Sequence, residues 1–170
     1  GCAQGIKNAW DKVSEDFSDL ILILEGGNEE SIALCEDSKI SLISATGSTK
    51  MGKELAPIVS ARLGKLLLEL GGNNAAIICP SADLDLTIKG VAFSACGTTG
   101  QRCTSLRRLF VHEEIYGECI LKLKEYVNNL IIGCPSKDTS QVGPLISEES
   151  FNTMQTILET LKAKGVQVLG

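Results

Sequence analysis

Aromatic residues and histidine are scarce in this chain of 170 residues: Phe, Trp and Tyr together make up 4%, and His112 is the single histidine. Lysine and arginine do not cluster with aromatic side chains, and the formal net charge is −5. The sequence therefore lacks the basic surface of a nucleic-acid-binding protein. No apolar run approaches the roughly 18 residues that a membrane-spanning helix needs. The composition is that of a globular protein, with neither nucleic acid nor a membrane as an expected partner.

Disulfides and metal binding are not indicated either, although the chain has seven cysteines. Their number is odd, no two of them form a CxxC motif, and only one histidine could join them as a zinc ligand. Most lie in apolar segments, where a free thiol packs as a small hydrophobe. We therefore expect no metal site and a reducing compartment, the cytoplasm or, as an alternative, the mitochondrial matrix.

The first half of the chain alternates apolar runs with helical patterns. Runs of strand length occupy residues 20–24, 40–45 and 65–70, and helices are expected to begin near Asn28, as a cap, and near Met51. Continuous apolar runs of this length are typical of strands buried on both faces. The order strand, helix, strand, helix, strand predicts a doubly wound parallel sheet.

The second half resumes the alternation after two glycines at positions 71 and 72. We predict strands at residues 75–79, 108–112 and 166–169, and helices that begin at Leu84, near Tyr116 and after Ser147. The glycines also mark the expected domain boundary, with residues 1–70 in one domain and residues 71–170 in the next.

The turn at residues 47–54 reads GSTKMGKE and comes close to a phosphate-binding P-loop. A P-loop needs Ser or Thr after its Gly-Lys pair, and Glu54 stands there, where a carboxylate would repel a triphosphate. Gly47 and Gly52 still place a helix start after a strand, and the unpaired N–H groups of such a start suit the pyrophosphate of a dinucleotide. A plain strand-to-helix turn is the alternative.

Two residues could carry chemistry. Cys103 follows a predicted helix in a small polar loop beside Arg102, whose positive charge would favour the nucleophilic thiolate. Glu69 ends a run of leucines, where partial desolvation would raise its pKa and make it a better base. The alternatives are an inert loop cysteine and a strand-end glutamate paired with a lysine. Cys96 is a weaker candidate nucleophile, and His112 is expected to be structural or at the surface.

These segments resemble the NAD(P)-dependent aldehyde dehydrogenase superfamily. The resemblance rests on SATGSTKMG at residues 44–52, LELGGNN at residues 68–74 and GQRC at residues 100–103, in the family's order and spacing. Residues 100–112 further resemble the antiquitin branch, the α-aminoadipic semialdehyde dehydrogenases. The implied fold is α/β: the second half of a Rossmann-like parallel-sheet cofactor domain, followed by the first half of an α/β catalytic domain.

The resemblance implies a role for each motif residue. Cys103 would attack the aldehyde carbonyl, and its backbone N–H would supply half of an oxyanion hole. Glu69 would activate the water that hydrolyses the resulting thioester. The cofactor, NAD or alternatively NADP, would contact four residues: Gly47, Ser48, Leu70 and Gly27. Arg102 and Thr104 would hold the amino-acid end of a semialdehyde.

Several family motifs are absent from this sequence, among them an oxyanion-hole asparagine upstream and a Glu-x-Phe-Gly-Pro segment downstream. The chain therefore resembles the middle of a longer family member, which would be a homodimer or homotetramer, and we expect this piece alone to be inactive. Two alternatives stay open: an aldehyde dehydrogenase of other substrate range, and a non-catalytic nucleotide-binding or structural module.

Overall fold

The computed structural model describes residues 1–169. The chain divides into two compact units, Gly1–Glu69 and Leu70–Gly170. Each unit has its own apolar core, and the strands form two separate two-stranded sheets. The α/β fold class is as predicted. Among residues 1–169, none of the helices combines the length and the apolar character that crossing a bilayer requires.

The first unit is built on one pair of strands. Its elements are α1 (Cys2–Val13), a 3-10 helix (Glu15–Leu20), α2 (Asn28–Glu36), β1 (Leu42–Gly47), α3 (Thr49–Ala61) and β2 (Lys65–Leu70). The two strands pair with each other. Cys35, Leu55 and Val59 form the core, with Ile43 and Leu66 packed against them. The predicted bounds of β2 are those observed.

Two expectations for the first unit are wrong. Residues 20–24 form no strand: the 3-10 helix ends at Leu20, and residues 21–27 have no regular structure. Leu22 and Leu24 are 75% and 72% exposed, because within residues 1–169 no neighbouring strand pairs with this run and covers it. Asn28 is not a cap but the first residue of α2. The N-cap is Gly27, whose N–H donates to Glu30 Oε2 at 2.7 Å.

The second unit is built on a parallel pair. Its elements are β3 (Asn74–Ile78), α4 (Leu84–Cys96), a 3-10 turn (Gly97–Gly100), β4 (Leu106–Val111), α5 (Glu113–Asn128) and α6 (Glu148–Ala163). β3 and β4 run parallel with Ile78 opposite Val111. Ile78, Ile88, Val91 and Cys119 form the core. The predicted strand at residues 166–169 is not formed, because this segment has no strand partner within residues 1–169.

Side-chain caps begin the three helices of the second unit. Asp83 accepts from the N–H of Leu86 at the start of α4, and Ser147 accepts from the N–H of Ser150 at the start of α6. His112 Nδ1 accepts from the Glu114 N–H at the start of α5. The histidine is therefore structural, as predicted.

Candidate active site

Cys103 lies at the exposed tip of a turn between α4 and β4. The Ser105 N–H donates to the Arg102 carbonyl oxygen at 3.1 Å, which closes the turn. The Arg102 N–H donates in return to Ser105 Oγ at 3.2 Å. Ser105 is only 1% exposed, whereas Cys103 and Thr104 are exposed. The turn thus presents a thiol to solvent on a backbone anchored in the protein interior.

Asn74 fastens this turn to the sheet. Its Nδ2 donates to the carbonyl oxygen of Cys103 at 2.7 Å and to that of Ser105 at 3.0 Å. Asn74 begins β3 opposite Leu106, the first residue of β4, so the parallel pairing brings it beside the end of the turn. Gly72 also lies close to this turn. A Cβ added at Gly72 would lie 3.1 Å from the Cys103 carbonyl oxygen and 2.8 Å from Asn74 Oδ1.

Arg102 is held at the end of α4. Its Nη2 donates to the carbonyl oxygen of Phe93 at 3.0 Å, and its guanidinium carbon lies 4.9 Å from the centre of the Phe93 ring. A Cβ at Gly97 would collide with the same guanidinium. Because carbonyl groups at a helix C-terminus carry partial negative charge, they favour a cation there. These contacts fix the arginine's positive charge beside the turn.

The chain enters the turn through a left-handed segment. Thr98 and Thr99 have φ angles of 54° and 57°, a region that β-branched residues rarely adopt. Two contacts fasten the segment to the loop before α6. The Thr99 hydroxyl donates to the Gly143 carbonyl oxygen at 2.8 Å, and Gln101 Oε1 accepts from the Ile146 N–H at 2.8 Å. Residues 102–105 form the turn that carries this candidate nucleophile (the nucleophile turn), and hydrogen bonds hold the turn at its entry as well as at its base.

Gly47 and Ser48 lie at the strand-to-helix turn of the first unit. β1 ends at Gly47, and the Ser48 hydroxyl caps α3 by accepting from the Met51 N–H at 3.1 Å. A Cβ at Gly47 would lie 2.7 Å from Met51 Sδ, so the turn is tight. The first turn of α3 contains no acidic residue. Its free N–H groups and the helix dipole therefore suit an anion.

The helix start at Gly27 differs in charge. Glu29 and Glu30 both lie in the first turn of α2. The N–H of Gly27 donates to Glu30, and this hydrogen bond lowers the pKa of the Glu30 carboxyl. Two carboxylates at this end of α2 oppose a phosphate. Of the two helix starts, that of α3 is the one suited to a pyrophosphate.

Glu69 is exposed, and its expected desolvation in this chain is wrong. Side chains alternate between the two faces of a strand. Leu66, Leu68 and Leu70 share the half-buried face of β2, which leaves Glu69 on the exposed face. The alternative of a paired glutamate also fails here, since no basic side chain within residues 1–169 forms an ion pair with Glu69.

The remaining cysteines divide by exposure. Cys35 and Cys119 are buried, and burial raises the pKa of the Cys119 thiol. Cys96 is half-buried at the end of α4, in keeping with its lower rank as a nucleophile. Cys134 is exposed, and a hydrogen bond from Ser136 lowers its pKa. Exposure alone therefore does not single out Cys103; its anchored turn does. Within residues 1–169, no three His, Cys, Asp or Glu side chains gather as a metal site.

The family model described as "Aldehyde dehydrogenase family" matches residues 13–170. The chain belongs to the aldehyde dehydrogenase family. It is 42% identical over 144 residues to "Aldehyde dehydrogenase family 7 member A1" of Malus domestica, covering 85% of this chain and 28% of that protein. It is 41% identical over 144 residues to "Alpha-aminoadipic semialdehyde dehydrogenase" of Mus musculus, covering 85% of this chain and 27% of that protein.

Solved structures share the fold. HpcC from Thermus thermophilus superposes with a TM-score of 0.83 at 30% identity, covering 86% of this chain and 29% of that one. Betaine aldehyde dehydrogenase from Staphylococcus aureus, in complex with NAD+, gives 0.81 at 28% identity, covering 85% and 28%. The chain spans about 28% of the length of the curated relatives it matches.

Asn74 and Ser105 are the site residues that sequence reasoning missed. Both stand inside the family motifs, yet neither has a side chain that suggests catalysis. Their contacts join residues 29 and 31 positions apart, which no local pattern predicts. The one available signal was a polar side chain with two N–H donors, Asn74, at the start of an apolar strand.

Proposed function

We propose that the full-length protein containing this chain oxidises an aldehyde to a carboxylate with NAD, or alternatively NADP. The observation that supports this most is the combination of the family match with an exposed, hydrogen-bonded cysteine turn in the GQRC motif. A rigid turn holds a nucleophile in one attack geometry, which lowers the entropic part of the barrier.

Cys103 is the proposed nucleophile. Its thiolate attacks the aldehyde carbon, so that a C–S bond forms and the carbonyl π-electrons move to oxygen. The Cys103 N–H stabilises the negative charge on that oxygen. NAD(P), held at Gly47 and Ser48, would supply the acceptor for the hydride that this carbon loses. The product of that loss is a thioester on Cys103.

Glu69 is the proposed general base for the second half of the reaction. Its carboxylate takes a proton from water as the water oxygen attacks the thioester carbonyl. Collapse of the tetrahedral adduct breaks the C–S bond, returns the thiolate of Cys103 and releases the carboxylic acid, which loses its proton to solvent to become the carboxylate. The exposed position of Glu69 on β2 leaves its carboxylate accessible to water.

The proposed cofactor contacts fit an anionic dinucleotide. Gly47 and Ser48 precede a helix start that is free of acidic side chains, and they are assigned to the pyrophosphate and ribose. Gly27 precedes a helix start with two carboxylates and is assigned to the uncharged adenosine side. Leu70, half-buried at the end of β2, is assigned to the nicotinamide through its backbone.

The proposed substrate class is a semialdehyde of an amino acid, with α-aminoadipic semialdehyde as the first choice. The chain is 41% identical to a relative of that name but 28% identical to a betaine aldehyde dehydrogenase. Thr104 is exposed at the turn, and Arg102 has guanidinium donors beyond the one that it gives to Phe93. These two residues are assigned to the polar end of the substrate. The full-length protein is proposed to be a homodimer or homotetramer of the cytoplasm or mitochondrial matrix.

The test is NADH formation by the full-length protein with α-aminoadipic semialdehyde, betaine aldehyde and propanal. Cys103→Ala should lower turnover by at least about 1000-fold, as expected for a nucleophile. Cys134→Ala removes another exposed thiol and should leave turnover unchanged. Turnover that survives Cys103→Ala would refute the nucleophile. Higher kcat/KM with betaine aldehyde than with the semialdehyde would refute the substrate class.

A further inference from the structure

Both peptide groups that flank Cys103 are hydrogen-bonded through their carbonyl oxygens. The carbonyl oxygen of Arg102, which precedes Cys103, accepts from the Ser105 N–H at 3.1 Å. The carbonyl oxygen of Cys103 itself accepts from Asn74 Nδ2 at 2.7 Å. A peptide group is planar, so a hydrogen bond to its oxygen fixes the orientation of the whole group.

The first of these bonds sets the direction of the Cys103 N–H. All peptide bonds in residues 1–169 are trans, so the N–H of Cys103 points opposite to the Arg102 carbonyl. That carbonyl points into the turn, toward the Ser105 N–H. The Cys103 N–H therefore points away from the turn's own hydrogen bond and stays available as a donor to a ligand.

The second bond keeps this arrangement from rotating. Asn74 Nδ2 also donates to the Ser105 carbonyl oxygen at 3.0 Å. One side-chain amide therefore holds two carbonyl groups of the turn, those of Cys103 and Ser105. Ser105 is buried and Asn74 is half-buried, so the bond to the Ser105 carbonyl oxygen is partly shielded from water, whereas the bond to the Cys103 carbonyl oxygen is exposed. Loss of the amide would leave two carbonyl groups of the turn without this donor.

We propose that Asn74 is the positioning residue of the nucleophile turn: its amide holds the Cys103 and Ser105 carbonyl groups so that the Cys103 N–H faces the reacting oxygen. This role rests on the proposed function, because the N–H has a catalytic use only if an oxyanion forms on the substrate. Asn74 touches neither the substrate nor the cofactor in this scheme. It acts through the backbone of Cys103.

Aldehyde oxidation at Cys103 and alkylation of the same thiol should depend on Asn74 to different extents. Attack on an aldehyde needs the thiolate and a stabilised oxyanion. Alkylation by iodoacetamide needs only the thiolate, because iodide leaves directly and no oxyanion forms. Loss of Asn74 should therefore impair turnover far more than alkylation, whereas general damage to the turn would impair both.

The experiment compares three variants of the full-length protein. Asn74→Ala removes the amide, and Asn74→Asp keeps its shape but replaces the donor with an acceptor. Asn73→Ala is the matched control, since within residues 1–169 the Asn73 side chain makes no hydrogen bond to the turn. The measurements are kcat and KM for NADH formation with α-aminoadipic semialdehyde, the rate of Cys103 alkylation by iodoacetamide, the melting temperature, and hydrogen–deuterium exchange of residues 102–105.

We expect kcat to fall about 10- to 100-fold in both Asn74 variants, the usual cost of misplacing a reacting group by about an ångström. In Asn74→Ala, KM and the alkylation rate should stay within about 3-fold, and in both variants residues 102–105 should exchange faster than in Asn73→Ala. A kcat within about 3-fold of the unsubstituted protein, or equal losses of turnover and alkylation with a lower melting temperature, would overturn the positioning role. Absence of turnover in the unsubstituted protein would overturn the proposed function instead, and the exchange data would still decide whether Asn74 holds the turn.

Discussion

Gly72→Ala tests the packing around the nucleophile turn without removing any hydrogen-bonding group. The added Cβ would lie 2.8 Å from Asn74 Oδ1 and 3.1 Å from the carbonyl oxygen of Cys103. Because the second atom belongs to the backbone, the clash is relieved most easily by moving the Asn74 amide. That movement breaks its two hydrogen bonds to the turn.

The expected magnitude follows from these two bonds. Each is worth about 0.5–1.5 kcal/mol, so the turn loses about 1–3 kcal/mol of stabilisation, which corresponds to about a 5- to 150-fold fall in the population of the correct geometry. We therefore expect kcat of the full-length protein to fall by about that factor in an NADH assay. The protein should remain folded, since the change is local.

Gly71→Ala is the matched control for this prediction. A Cβ at Gly71 meets no atom within 4 Å, so the same substitution one residue earlier should leave kcat within about 2-fold and slightly stabilise the protein by lowering the entropy of the unfolded chain. Equal effects of the two substitutions on kcat would refute the reasoning, because the contact of Gly72 with the turn would then be irrelevant.

Three further predictions concern stability, measured by urea unfolding of the full-length protein. Asp83→Ala removes the cap of α4 and should lower the free energy of unfolding by about 1 kcal/mol. The hydrogen bond from Lys122 lowers the pKa of Asp85. This pair therefore stabilises the fold above about pH 4, and its effect is lost as the pH falls through the lowered pKa. Lys122→Met should make the free energy of unfolding fall less steeply between about pH 5 and pH 2. Cys119→Ser places a hydroxyl at a position 0% exposed and should cost about 1–3 kcal/mol.

Each of the three has a control at an exposed position. Asp138→Ala, Lys164→Met and Cys2→Ser repeat the same chemical changes on the surface and should alter the free energy of unfolding by less than about 0.5 kcal/mol. A variant at Asp83, Lys122 or Cys119 that behaves like its control would contradict the corresponding prediction.

The parts of the fold that could be predicted from the sequence depend on local chemistry. β2 is bounded by Gly64 and Gly71, and its run of leucines predicted residues 65–70 correctly. Asp83 and Ser147 were identifiable as helix starts because their side chains accept backbone N–H groups within the next three residues. Such signals need no knowledge of the rest of the chain.

Several failures concern partners distant in the sequence, whereas the N-cap at Gly27 in place of Asn28 is a local exception. The apolar run at residues 20–24 has strand composition, but a strand exists only when another strand supplies its hydrogen bonds. The exposure of Glu69 is a second local exception, because the alternation of side chains along β2 places it opposite the half-buried face of Leu66, Leu68 and Leu70. The amide of Asn74 reaches Cys103 across 29 residues, through the pairing of β3 with β4.

The same distinction applies to the candidate site. Cys103 and Glu69 could be identified from motif spacing, and their assigned roles remain proposals. The turn that holds Cys103 could not be predicted, because it depends on the burial of Ser105 and on the left-handed backbone at Thr98 and Thr99.

The central claim, that Cys103 carries the acyl group, is tested most directly by trapping the thioester. Glu69→Gln in the full-length protein should form one equivalent of NADH per active site and then stall, because water is no longer activated. Trypsin cleavage after Arg102 and after Arg107 releases a five-residue peptide, residues 103–107, in which Cys103 is the only cysteine. Brief digestion and mass spectrometry should show the acyl mass on this peptide. An adduct on any other cysteine, or a full burst of NADH with this peptide unmodified, would contradict the account.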